Sequence, residues 1–140
     1  GEHYKIADKV RYINNELYTD KPDGLSGNED CGQMSAWYIL SSMGFYPVNP
    51  SNGAYVFGSP LFDEVVLDIP GQKQFKISAK NNSDKNIYIQ SVSLNGEEHK
   101  YSYITHKEIL KGGELEFTMG PKPNKDFGKE KKYRPESIVY

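Results

Sequence analysis

The sequence predicts an α+β fold in which two helices lead into an antiparallel, sandwich-like β-rich segment. Three observations predict it. Apolar residues near the N-terminus recur at helical spacing, and a dense apolar run then ends on a glycine. Beyond Pro47, Pro and Gly punctuate short runs of β-branched and aromatic residues. The change of texture divides the chain into a helical part, residues 1–46, and a β-rich part with a basic tail, residues 47–140.

Residues 4–18 place Ile6, Val10, Ile13 and Leu17 on one helical face, with Asp8, Lys9, Arg11 and Glu16 largely on the other. Asp20-Lys21-Pro22-Asp23-Gly24 ends that helix with turn chemistry. The second helix, about residues 33–43, has a different character. Met34, Ala36, Trp37, Tyr38, Ile39, Leu40 and Met43 leave only small Ser35, Ser41 and Ser42 as a polar contribution. A helix apolar all round is normally buried on every side, so Trp37 is expected in a core. One amphipathic neighbour and a small sheet are too little to enclose such a helix, and the expectation is a larger helical assembly. Gly44 stops the helix, and Pro47 and Pro50 prevent its resumption.

Strands are expected at about 54–58, 64–69, 74–80, 86–94, 98–102 and 114–119. Phe75, Ile77 and Ala79 alternate cleanly, as do Leu115, Phe117 and Met119. In 86–94 the apolar phase switches between Ile89 and Val92, which calls for a bulge near Gln90–Ser91 or burial on both faces. Asn95-Gly96 is a two-residue hairpin signal. Thr105-His106-Lys107-Glu108 matches a capping box and places a short helix there, with His106 belonging to its start. The lysines of 122–132 read as a solvated tail.

Composition limits function. With 140 residues and a net charge of −2, the chain offers no argument for nucleic acid or an anionic membrane surface, and no apolar run is long enough to span a bilayer. Cys31 is the single cysteine, so no internal disulfide forms. His3, His99 and His106 lie far apart, so no zinc site is spelled out, and no metal ligands are assigned within the chain. Gly24, Gly27 and Gly32 match neither a P-loop nor a dinucleotide fingerprint.

What remains is Gly24–Gly44, GLSGNEDCGQMSAWYILSSMG, where Asn28, Glu29 and Asp30 stand directly before the apolar helix. Carboxylates are common general acids and bases, and they are equally favoured as helix caps. Inverting glycoside hydrolysis needs two carboxyl groups roughly 6.5–9.5 Å apart. Side chains of adjacent residues diverge, so Glu29 and Asp30 are not that pair. If Asp30 is one member, the other comes from elsewhere.

The string GLSGNEDCGQMSAWYILSSMGFYPVNP, with KVRYINNELY before it and YVFGSPLFDEV, KNNSDKNIYIQSVSLNG and YITHKEILKGGELEFTMGPKPN after it, resembles glycoside hydrolase family 92, the calcium-dependent exo-α-mannosidases. The likeness covers nearly the whole chain and is densest from Gly27 to Trp37. It implies an N-terminal β-sandwich, an (α/α)6 barrel and a C-terminal β segment. This chain would then supply the closing barrel helices and the β-rich end. The resemblance makes Asp30 the general base of an inverting reaction, with Asn28, Glu29 and Gln33 around the substrate and Glu29 and Gln33, adjacent to Asp30, also expected to support it. Asn28 stands where many members carry a second acid. The general acid, the calcium ligands and the sugar-gripping residues would lie upstream, in the remainder of the parent enzyme. The implied substrate is a mannose-containing glycan, α-1,2-linked, and the implied location is extracytoplasmic, by resemblance to bacterial enzymes. The alternative from another class is a non-catalytic β-rich carbohydrate-binding or interaction module, and a third option is another inverting (α/α)6 glycosidase acting on glucosides.

Overall fold

The structure is a computed structural model and describes residues 1–136. Two helices, α1 (Tyr4–Glu16) and α2 (Gln33–Ser42), precede eight strands and a short third helix. The strands are β1 (Phe45–Asn49), β2 (Ala54–Phe57), β3 (Glu64–Ile69), β4 (Lys73–Lys80), β5 (Tyr88–Leu94), β6 (Glu97–Glu98), β7 (Tyr103–Thr105) and β8 (Gly113–Gly120). Helix α3 (His106–Ile109) lies between the last two.

They form two sheets. One has the order β1-β2-β7 and the other β3-β4-β8-β5-β6. A single apolar core draws Phe45, Phe57 and Ile104 from the smaller sheet and Phe75, Ile77, Ile89, Val92, Leu115 and Phe117 from the larger. Phe57 meets Phe117 edge-to-face at 5.1 Å between ring centroids, a favoured aromatic geometry. The chain enters this core through Gly44, where φ is +100° and a Cβ would lie 3.1 Å from both Phe117 and Pro60. Only glycine fits there.

Three expectations for the strands need correction. The larger sheet is mixed: β8 runs antiparallel to β5 but parallel to β4, pairing Phe75 with Gly113 through Lys80 with Thr118. Parallel neighbours need a long crossover, and residues 81–112 supply it. β1, which contains Pro47, is not among the expected strands. It is an edge strand, where a missing N–H costs no ladder bond. The expected strand 98–102 is broken. Only Glu97–Glu98 pairs with β5, the chain then bends, and β7 crosses to the other sheet as partner of β2. His99 holds that bend, with its Nε2 donating to Tyr103 O at 2.8 Å.

Other local signals appear as the sequence spells them. The register of β5 against β8 shifts between Ile89 and Ser91, the expected bulge. Asn95 and Gly96 adopt φ of 53° and 83°, as a tight hairpin turn requires. Thr105 and Glu108 form both halves of the capping box. The tail keeps its lysines in solvent, but its backbone is not free. Phe127 packs against the core, and Ser102 N donates to Tyr133 O at 2.8 Å.

Helix α1 turns a different face inward from the one its apolar residues suggest. Ala7, Arg11 and Asn14 are buried, while Ile6, Val10 and Ile13 are half-buried. Polar bonding explains the rotation. Arg11, 6% exposed, donates to Ser59 Oγ at 3.0 Å and also to Pro60 O and Asn82 Oδ1. Burial pushes its guanidinium down from the ordinary value, opposed by Asp84 and Asp63. Asn14 Oδ1 accepts from Ser41 Oγ at 3.0 Å, tying α1 to α2.

Candidate active site

The segment between the helices begins as a small closed loop. Tyr18 bridges Leu25, Thr19 N donates to Gly24 O at 2.9 Å, and Gly24 N donates to Lys21 O at 2.9 Å. A Cβ on Gly24 would lie 2.1 Å from Thr19 O, so glycine is obligatory. The chain then runs through exposed Ser26, Gly27 and Asn28 to the head of α2.

There the backbone is unusual. Asp30, Cys31 and Gly32 have φ of 45°, 62° and 87°, three successive left-handed residues of which only one is glycine. Each non-glycine residue in that region costs roughly 1–2 kcal/mol. Such strain persists only where surrounding bonds hold it, and Glu29 provides them. Its carbonyl accepts from Gln33 N at 3.0 Å, and its side-chain Oε1 accepts from Ser35 N at 3.1 Å. The N-cap Gly32 has no side chain to do this.

The two acids at this helix entrance therefore separate in role. Glu29 caps α2. Asp30 is exposed, and its carboxylate forms no hydrogen bond with another described residue. Asn28 and Gln33 flank it in sequence and are likewise exposed, without side-chain hydrogen bonds among the described residues. Cys31 is an exposed free thiol.

Behind the loop lies an aromatic cluster. Tyr18 stacks on Trp37 at 5.8 Å and packs on Tyr38 at 4.9 Å, while Trp37 approaches Tyr46 at 6.4 Å. Tyr18 donates to Met34 O at 3.0 Å, and burial, followed by the charge of Glu29, pushes its phenol up. This corrects the expectation for Trp37, which is half-buried at an open face and outside the core. The sequence reading did not single out Tyr18. The available signal was an aromatic ending α1 opposite Trp37 and Tyr38 on α2. A groove of about 410 Å³ opens between Tyr18, Leu25, Tyr38 and Ile39.

Among the described residues no three His, Cys, Asp or Glu side chains gather into a metal-binding group. Calcium takes 6–8 oxygen ligands, so Asn28 and Asp30 could offer it at most a minor share. No helix is long and apolar enough to cross a membrane.

The model of the glycosyl hydrolase family 92 catalytic domain matches residues 1–121. A curated secreted glycosidase, otherwise uncharacterised, from Arthroderma benhamiae is 34% identical over 106 residues, covering 74% of this chain and 14% of the relative. An inverting mannosidase of family GH92 from Bacteroides thetaiotaomicron superposes with a TM-score of 0.91 at 42% identity, over 98% of this chain and 19% of that one. A GH92 α-mannosidase from the same species gives 0.92 at 39% identity, over 99% and 19%, and has also been solved with mannoimidazole. The chain thus spans about a fifth of the length of these solved relatives.

The class that these likenesses define is the glycoside hydrolases. The chain belongs to glycoside hydrolase family 92, whose C-terminal part it matches.

Proposed function

We propose that this chain is the part of an inverting exo-α-mannosidase that supplies the general base, Asp30. The observation that carries the proposal is the division of labour at the head of α2. Glu29 takes the helix-capping role that could have explained Asp30 away, and Asp30 is left exposed in a strained turn. In the proposed reaction Asp30 takes a proton from water as that water attacks the anomeric carbon. A carboxylic acid outside this chain protonates the departing oxygen, and the product is released with inverted configuration. Asn28 and Gln33, exposed beside Asp30, face the sugar.

The substrate is the α-linked, non-reducing terminal mannose of a glycan such as an N-glycan, with α-1,2 linkage the first to test. The name of one solved relative includes inversion, and another relative binds mannoimidazole; both support this reading. Calcium belongs to residues outside this chain. The secreted glycosidase among the relatives supports an extracytoplasmic location.

The test is Asp30→Asn in the intact enzyme, assayed on α-1,2-mannobiose with the product anomer followed by NMR. Loss of a general base should lower turnover by roughly 10²–10⁴-fold, and the unsubstituted enzyme should release β-mannose first. Full turnover by the variant, as a non-catalytic carbohydrate-binding module would show, overturns the assignment. The chain by itself should release no mannose, since it brings the base without the acid.

A further inference from the structure

We infer that Glu29 is a positioning residue for Asp30 and is not a ligand for the sugar. The inference rests on the reading of Asp30 as the base. Of the two roles expected of Glu29, lining the substrate and supporting Asp30, it keeps only the second.

Glu29 grips the first turn of α2 at two points. The carbonyl binds Gln33 N at 3.0 Å and the carboxylate binds Ser35 N at 3.1 Å. Everything between the first grip and the helix is Asp30, Cys31 and Gly32. A run of left-handed φ is the conformation in which those residues close so short a span. The direction of the Asp30 side chain is therefore set by the Glu29 anchors. Glycine alone at Gly32 could not set it, because glycine populates many backbone conformations equally.

Burial points the same way. Oε2 of Glu29 is shielded from solvent and has no hydrogen-bond partner among the described residues. A carboxylate held inward in this manner is turned toward the helix, away from the exposed surface that Asp30, Asn28 and Gln33 occupy. Tyr18, whose phenol feels the charge of Glu29, is itself fixed to Met34 O at 3.0 Å. General-base catalysis depends on placing the carboxylate against water, and a small misplacement can cost about 10²-fold in rate.

The test uses the intact enzyme and compares Glu29→Ala, Glu29→Gln and Asp30→Asn on the same mannoside. Glu29→Ala should lower kcat by about 10- to 100-fold with KM little changed, because the base is displaced while the sugar contacts remain. Glu29→Gln keeps the amide oxygen as an acceptor for Ser35 N and should recover most of that loss. Should the alanine variant fail to fold, Glu29→Asp takes its place, since the shorter side chain withdraws the acceptor from Ser35 N. Unchanged kcat in Glu29→Ala overturns the inference. So does a rise in KM alone, the mark of a sugar ligand, or a glutamine variant as impaired as the alanine one, the mark of a required charge. Full activity in Asp30→Asn would instead remove the base assignment itself, which keeps the two failures distinct.

Discussion

His3 shows how much a single side chain can carry at the surface of this fold. Its Nε2 donates to Phe57 O at 2.8 Å, and its ring meets Phe127 edge-on at 5.0 Å. It thereby ties the start of α1 to β2 and to the C-terminal segment. Burial pushes the imidazole pKa down from about 6.5, with the bond to Phe57 acting in the opposite sense. Between the lowered folded value and the unfolded one, the unfolded chain holds the proton and the folded chain does not. Stability therefore rises with pH in that window; it is complete above about pH 6.5 and is lost as pH falls toward the folded value. Urea midpoints between about pH 8 and about pH 5 should fall on the acid side, and His3→Phe should flatten the dependence. A slope unchanged by that substitution would assign it to other groups. At this scale the sequence was informative about identity and poor about contact. The residues alone left Glu29 and Asp30 both open and only the family resemblance chose Asp30, while the choice of Glu29 as cap depends on a bond six residues ahead, to Ser35 N. No local spacing rule encodes that bond.

Elements built from local chemistry were legible, and elements decided by distant partners were not. The α3 capping box is a four-residue signal and appears with both reciprocal bonds, Glu108 N to Thr105 Oγ1 at 3.3 Å and Thr105 N to Glu108 Oε2 at 2.8 Å. Thr105→Ala should cost about 1 kcal/mol of stability, read from denaturant unfolding, and an unchanged midpoint would show that tertiary packing alone holds the turn. The Asn95-Gly96 turn and the bulge in β5 belong to the same legible group. β1 and β7 do not. Each is short, at five and three residues, and each finds its partner strand in β2. The inward face of α1 was misread for a related reason: Arg11 is buried by acceptors 48 to 71 residues away.

For the molecule as a whole, the telling surface is α2. Ser41 and Ser42 at its end are buried, whereas Ile39 is 56% exposed and Met34, Trp37, Tyr38 and Leu40 are only half covered. An apolar helix with an open side agrees with the expectation drawn from its composition, that its neighbours here cannot enclose it. An exposed apolar surface of this kind promotes association. The chain on its own should self-associate in sedimentation velocity, and Ile39→Lys should shift it toward monomer. Monomeric behaviour of the unsubstituted chain would show that the face is adequately solvated. The two-sheet architecture was legible from alternation and turns. The mixed topology was not, because alternation is the same for a parallel and an antiparallel neighbour.

That topology has a consequence for synthesis. The strand at the centre of the larger sheet, β8, is the last of its strands to leave the ribosome. Until residues 113–120 emerge, β3 with β4 and β5 with β6 are two separate ribbons. Each keeps one unpaired edge facing the space that β8 will fill, the kind of edge that invites pairing with other chains. Leu115 and Phe117, both fully buried, arrive with the same strand. Residues 45–112 are therefore made with this core incomplete and its adhesive edges open, and the one segment 113–120 closes both.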